Sequence, residues 1–174
     1  MKCLTITQSN AYLIVWGIKD VENRGWSTRF RGTIGIHTSL GDDSTAFDGL
    51  EIFEDFKRCR RSADDTYPDA SGCSLLDNDA DGHLILRSGD PEHERQLGLL
   101  RYMINAPDDH VMPQAIIGTV DIIDVVQDSG SRWADPGKYY YVLSNPQRFD
   151  IPIMGVRGMP GFWDYDIESR EVIA

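Results

Sequence analysis

Between Ala115 and Val126 the chain reads AIIGTVDIIDVV, its longest apolar stretch. β-Branched residues dominate it, which predicts one long strand, with Gly118 marking a bulge or a barrel corner. Gly118, Asp121 and Asp124 break it well short of the roughly 18–20 apolar residues that a membrane-spanning helix needs. β signals recur on both sides. Upstream, Cys3–Thr7 (CLTIT) alternates, and Ile18–Arg24 places Asp20, Glu22 and Arg24 on one strand face. Thr33–Thr38 (TIGIHT) turns Ile34 and Ile36 inward and His37 to the opposite face. Downstream come Tyr139–Leu143 (YYYVL), a turn at Asn145-Pro146, the strand Arg148–Ile153, and a loop of Gly155, Gly158, Pro160 and Gly161 leading to Phe162-Trp163. One helix is expected among the early strands, capped by Ser9 or Asn10 and running through Trp16, with Gly17 just beyond its end. The pattern is α+β: a small mixed β-barrel with its helix in an N-terminal β-α-β-β unit.

Residues 40–113 read differently. Phe47–Arg60 has apolar positions at helical spacing, Asp64–Asp81 reads as an extended polar surface loop, and Pro91 opens a second helix to about Ile104. Two such helices have too little core to stand alone, so the stretch is expected to be an acidic, partly helical insertion within one domain spanning 1–174. Charge marks the same boundary. The chain carries a formal −11, of which residues 1–40 contribute +3, residues 41–110 contribute −10 and residues 111–174 contribute −4. Exposed charge is screened over roughly 8–10 Å at physiological salt, so a local basic cleft can still hold a phosphate. The acidic remainder opposes long duplexes, leaving a short or single-stranded polyanion as the more plausible partner. Cys3, Cys59 and Cys73 are odd in number and form no CxxC pair, which argues against a disulfide framework or a cysteine-rich zinc site. With no leader-like start at Met1-Lys2-Cys3, the expectation is a cytoplasmic chain with no membrane partner. Asp77-Asn78-Asp79-Ala80-Asp81-Gly82 copies the opening of a calcium loop, but Ser88 stands where the bidentate Glu belongs; no metal and no cofactor is assigned.

Leu4-Thr5-Ile6-x-Gln8, Gly17-x-Lys19-x-x-Glu22-x-Arg24-x-Trp26, Arg31-Gly32 and Ile36-His37-x-Ser39 together resemble the ASCH (activating signal cointegrator homology) family of PUA-like β-barrels. Ala115-Ile116-Ile117-Gly118, Tyr141-x-Leu143-Ser144-Asn145-Pro146, Arg148-Phe149-Asp150 and Gly161-Phe162-Trp163-Asp164 resemble that family's closing strands. The likeness covers about residues 3–39 and 114–165. It implies a PUA-like barrel with a cleft along the Gly-x-Lys-x-x-x-x-Arg segment, binding single-stranded RNA or a nucleoside or nucleotide. Some small ASCH proteins remove the acetyl group of N4-acetylcytidine with that lysine and a threonine three residues later. Here the threonine position is Glu22, which suits a general base on water better than an acyl-accepting nucleophile. RNA phosphodiester cleavage is a second hydrolytic possibility. Eukaryotic members sit in transcription coactivators, which gives the alternative of a non-catalytic protein-interaction module, with the acidic insertion as its contact.

The residues themselves support the cleft. Lys19 follows a helix C-terminus, where a cation is favoured. Arg24 can pair with Glu22 or fork onto phosphate or a base edge. Trp26 offers a stacking face worth about 1–3 kcal/mol per base, and His37 titrates near neutrality. Lys19, Glu22 and His37 are the candidate catalytic groups, and Arg24, Trp26, Arg31, Ser39, Tyr141, Ser144 and Asn145 the candidate ligand contacts. Each also has a structural reading. Lys19–Arg24 can be an ion-paired junction, Trp26 a barrel-edge packing residue and His37 a hydrogen-bonded core histidine; Ser144 and Asn145 can simply initiate a turn.

Overall fold

The computed structural model describes residues 1–41, 44–59, 75–81, 84–87, 89–105, 113–169 and 171–173. These fall into two compact units, Met1–Asp43 with Val111–Ala174, and Ser44–His110. In chain order the elements begin with β1 (Lys2–Ile6), α1 (Gln8–Val15), β2 (Val21–Arg24) and β3 (Gly32–Thr38). A 3-10 turn at Ser44–Phe47 precedes α2 (Glu51–Cys59), β4 (Leu76–Asn78), β5 (Leu84–Leu86) and α3 (Pro91–Asn105). The chain closes with β6 (Ile116–Val126), β7 (Tyr139–Ile153), β8 (Phe162–Asp166) and β9 (Glu171–Ile173).

In the first unit seven strands form one sheet in the order β2-β7-β6-β3-β1-β8-β9, curled strongly into a half-barrel. Only β1 and β3 pair in parallel; the other neighbours are antiparallel. Helix α1 packs over β6, β3 and β7 and buries every residue except Asn10. From Ala11 onward the helix is apolar on every side (AYLIV), and such a stretch has to lie inside. Its end is a full Schellman cap: Gly17 sits at φ 68 and donates to Ile14 O, and Ile18 donates to Leu13 O at 2.9 Å. Lys19 donates to the same carbonyl, so Ile18 and Lys19 are spent on the cap and β2 begins only at Val21, later than the alternation predicts.

Gly118 sits at a register shift between β6 and β7, where a Cβ would lie 2.3 Å from the Gln147 carbonyl oxygen. The predicted turn at Asn145-Pro146 is instead an interior bulge of the continuous strand β7. Thr119 faces Gln147 and Asp121 faces Ser144, so β7 carries one residue more than β6, and Asn145 takes it up at φ 51. Both faces of β3 are covered: Ile34, Ile36 and His37 are all buried. At its end Thr38 is clamped to Ala115, donating to Ala115 O and accepting from Ala115 N at its hydroxyl, while Gln114 donates back to Thr38 O.

The second unit packs α2, α3, β4 and β5 with Leu50, Ile52, Leu76, Leu97 and Leu99 buried. Gly49, at φ 75, separates the 3-10 turn from α2, so the helical spacing from Phe47 onward is realised as two pieces. Residues 75–78 are no surface loop: Leu76 is fully buried and pairs with Leu86. Residues 64–74 of that expected loop, Arg60, and Gly82 and Ser88 of the calcium-like stretch lie outside the described residues. No helix among the described residues is long and apolar enough to cross a membrane.

Candidate functional site

The Schellman turn after α1 aims the chain so that Lys19 and the first residues of β2 face β1. There a cavity of about 320 Å³ is lined by Thr5, Ile6 and Thr7 from β1 and its exit, Asn10 of α1, Lys19, Glu22, Asn23, Arg24, Ser39 and Asp135. Glu22 lies between two cations. Its Oε1 is 3.1 Å from Nη2 of Arg24 and its Oε2 is 3.8 Å from Nζ of Lys19. Lys19 is almost wholly buried and donates to Asn10 Oδ1 at 2.6 Å, while Asn10 Nδ2 donates to Thr7 Oγ1. Strand β8 pairs with β1 only as far as Leu4, and the Thr5 carbonyl just beyond accepts from Arg24 Nη2 at 2.8 Å. Burial pushes the Glu22 carboxyl above its ordinary value, with Asp135 adding to the shift, while Arg24 and then Lys19 oppose it. A carboxyl raised in this way is suited to taking a proton from water, and Lys19 is placed to stabilise developing negative charge.

The β6–β7 connection, residues 127–138, supplies the rim. Trp133 Nε1 donates to Ile18 O, Asn23 Nδ2 donates to Trp133 O, and Asp135 N donates to Asn23 Oδ1. Ser131 donates to Asp20, and the Lys19 ammonium lies 5.8 Å from the Trp133 ring centroid. Asn10, Asn23, Trp133 and Asp135 are not among the site residues the sequence points to. Asn10 had a signal as a helix-cap candidate, whereas the rim residues sit in a loop with no motif.

Of the sequence candidates, Lys19, Glu22, Arg24 and Ser39 share the cavity. The others lie elsewhere. His37 is buried against the Val156–Met159 strap: its Nε2–H donates to Val156 O at 2.8 Å, its ring meets Trp163 edge-on, and its Nδ1 has no partner among the described residues. Burial lowers its pKa, and a Cβ on Gly158 would fall 2.5 Å from the ring. Strand alternation explains this placement, because His37 points to the face of β3 that the strap covers. Trp26 and Tyr141 form an aromatic cluster with Phe162, at 5.5 and 5.4 Å from Trp26, and the Tyr141 hydroxyl donates to Trp26 O. Burial raises the Tyr141 pKa to about 12. Arg31 donates to Asp124, Thr28 O and Phe30 O. Ser144 is exposed beside the bulge, and Asn145 donates to Asp121. A second groove, about 480 Å³, runs along Ile151–Arg157, Tyr165, Ile167 and Val172, most of them apolar residues.

No family model matches the chain, and no curated protein matches it.

Proposed function

We propose that the chain is an ASCH-type, PUA-like module that binds a nucleoside, or a nucleoside unit of single-stranded RNA, in the Lys19–Glu22–Arg24 cavity. One observation carries the reading: three charged side chains from one short segment meet in a small polar cavity, with the hydroxyls of Thr7 and Ser39 and the amide of Asn10 beside them. Buried charged and polar groups of this kind fix the orientation of a ligand that brings matching donors and acceptors. A base edge and a ribose supply both. The aromatic stacking face expected of Trp26 takes no part, since that ring packs on Tyr141 and Phe162.

Hydrolysis at this site would use Glu22 as base and Lys19 as electrostatic partner, without His37, which does not line the cavity. Incubation of N4-acetylcytidine and of a short single-stranded RNA with concentrated protein, read by mass spectrometry, tests that branch; unchanged substrates leave binding alone.

Calorimetric titration of the four ribonucleosides and of short single-stranded RNA into wild type and Lys19→Ala tests the binding reading. Saturable binding lost in the variant supports it. Equal signals from both proteins, or none from wild type, remove it. The competing reading, a protein-interaction module, has the apolar groove around Ile151 and Met154 in its favour, both exposed.

A further inference from the structure

The rim of the cavity carries a carboxylate to which no other described residue hydrogen-bonds or ion-pairs. Asp135 is held through its backbone on both sides: its N–H donates to Asn23 Oδ1 at 3.1 Å, and its carbonyl accepts from the Tyr140 hydroxyl at 2.7 Å. Asn23 is itself fixed by donating to Trp133 O, so the loop cannot swing without breaking this set. The Asp135 side chain has no hydrogen-bond or ion-pair partner among the described residues, although Lys19 and Arg24 line the same cavity. A carboxylate kept beside two cations, yet paired with neither, is free to act on whatever enters.

Its effect follows from the charges. Among the described lining residues, Lys19 and Arg24 bring two positive charges and Glu22 and Asp135 two negative ones, so the cavity is balanced. A site built for phosphate normally carries an excess of cations. In a space of about 320 Å³, a phosphate held among the lining residues lies within a screening length of Asp135.

We infer that Asp135 is a specificity-determining residue: its carboxylate admits uncharged nucleosides and turns away their phosphorylated forms. This rests on the nucleoside branch of the reading given above and sets aside its RNA branch, in which every internal unit carries phosphate. Repulsion between an anion and a misplaced carboxylate is a device for rejecting a close analogue without weakening the preferred ligand. The same carboxylate accepts hydrogen bonds from ribose hydroxyls or an amino group, contacts that a neutral ligand can make.

The test is a set of calorimetric titrations at low salt. Each ribonucleoside and its 5′- and 3′-monophosphates are titrated into wild type, Asp135→Asn and Asp135→Glu. Because Asp135 is exposed and anchored by its backbone, the Asn variant should fold, as circular dichroism and Tm will show. Wild type should prefer a nucleoside over its monophosphates. Asp135→Asn should raise monophosphate affinity about tenfold relative to the nucleoside, and Asp135→Glu should keep the wild-type preference. A nucleoside that binds wild type with a monophosphate ratio unchanged in Asp135→Asn overturns the role of Asp135 alone. Absence of any nucleoside binding to wild type overturns the cavity reading itself.

Discussion

Arg24 on β2 donates through Nη2 to the main-chain carbonyl of Thr5 on β1 at 2.8 Å, although three strands lie between β2 and β1 in the sheet. The same nitrogen sits 3.1 Å from Glu22. One guanidinium thus ties the curled sheet across its concave side and neutralises the most deeply placed carboxylate of the cavity. Site and fold share this group.

Arg24→Met should therefore be costly. It strands the Thr5 carbonyl and leaves Glu22 with Lys19 alone, which puts the loss at about 2–4 kcal/mol, a little less than for a fully buried pair because Arg24 is partly exposed. The double variant Arg24→Met/Glu22→Gln should lose less than the sum of the two single changes. Urea denaturation of the four proteins in this cycle measures the difference.

Glu22 makes a pH-dependent contribution whose sign is fixed. Its folded-state pKa is raised above the ordinary value of 4.5, chiefly by burial, so the folded protein holds this proton more tightly than the unfolded chain. The contribution is fully present below pH 4.5 and is lost as pH rises through the raised value. Relative to Glu22→Gln, wild type should be most stable at the acid end and lose ground toward neutrality. Paired urea midpoints from pH 4 to 8 cancel the titrations common to both proteins. A difference that grows with pH would contradict the burial assignment.

Gly118 and Gly25 form a matched steric pair. Alanine at 118 would drive its methyl into the Gln147 carbonyl at 2.3 Å, a backbone atom that cannot rotate away, whereas Gly25 has open space around it. Gly118→Ala should cost at least about 1–3 kcal/mol and Gly25→Ala no more than about 0.5 kcal/mol. Thermal melts resolve the two, and equal Tm values would show that the β6–β7 bulge has room to spare.

Trp26→Ala should separate stability from binding. Its indole packs edge-on against Tyr141 and Phe162 but does not line the cavity. A loss of about 2 kcal/mol is expected for this half-exposed ring, with nucleoside affinity unchanged below the new melting temperature. Weakened binding in a fully folded variant would return Trp26 to the ligand.

The parts of this structure legible in the sequence are those with short-range causes. Gly17 ends α1 because only a residue at ease with φ 68 completes the cap, and period-2 spacing from Glu22 to Arg24 put both side chains on the cavity face. What failed to show depends on tertiary partners. Asn145-Pro146 has the composition of a turn, yet β6 pairs on both sides of it and holds the strand continuous. His37 was placed on the correct strand, but nothing in TIGIHT announces a strap more than a hundred residues later that closes over the ring. Asp135 was invisible because a loop residue without a motif acquires its position only through Asn23 and Tyr140.

The clamp between Thr38 and Ala115 has a consequence for how this chain can change length. The segment that departs at Ser39 returns at Gln114 to the same pair of strand ends, so β3 and β6 keep their alignment whatever is spelled out between them. Closure entropy grows only slowly with the size of such an excursion. Leu40 and Gly41 still accept from Gln8, so length added beyond Gly41 leaves the bonds of the curled sheet in place and makes that point the natural one to graft a tag or a foreign module.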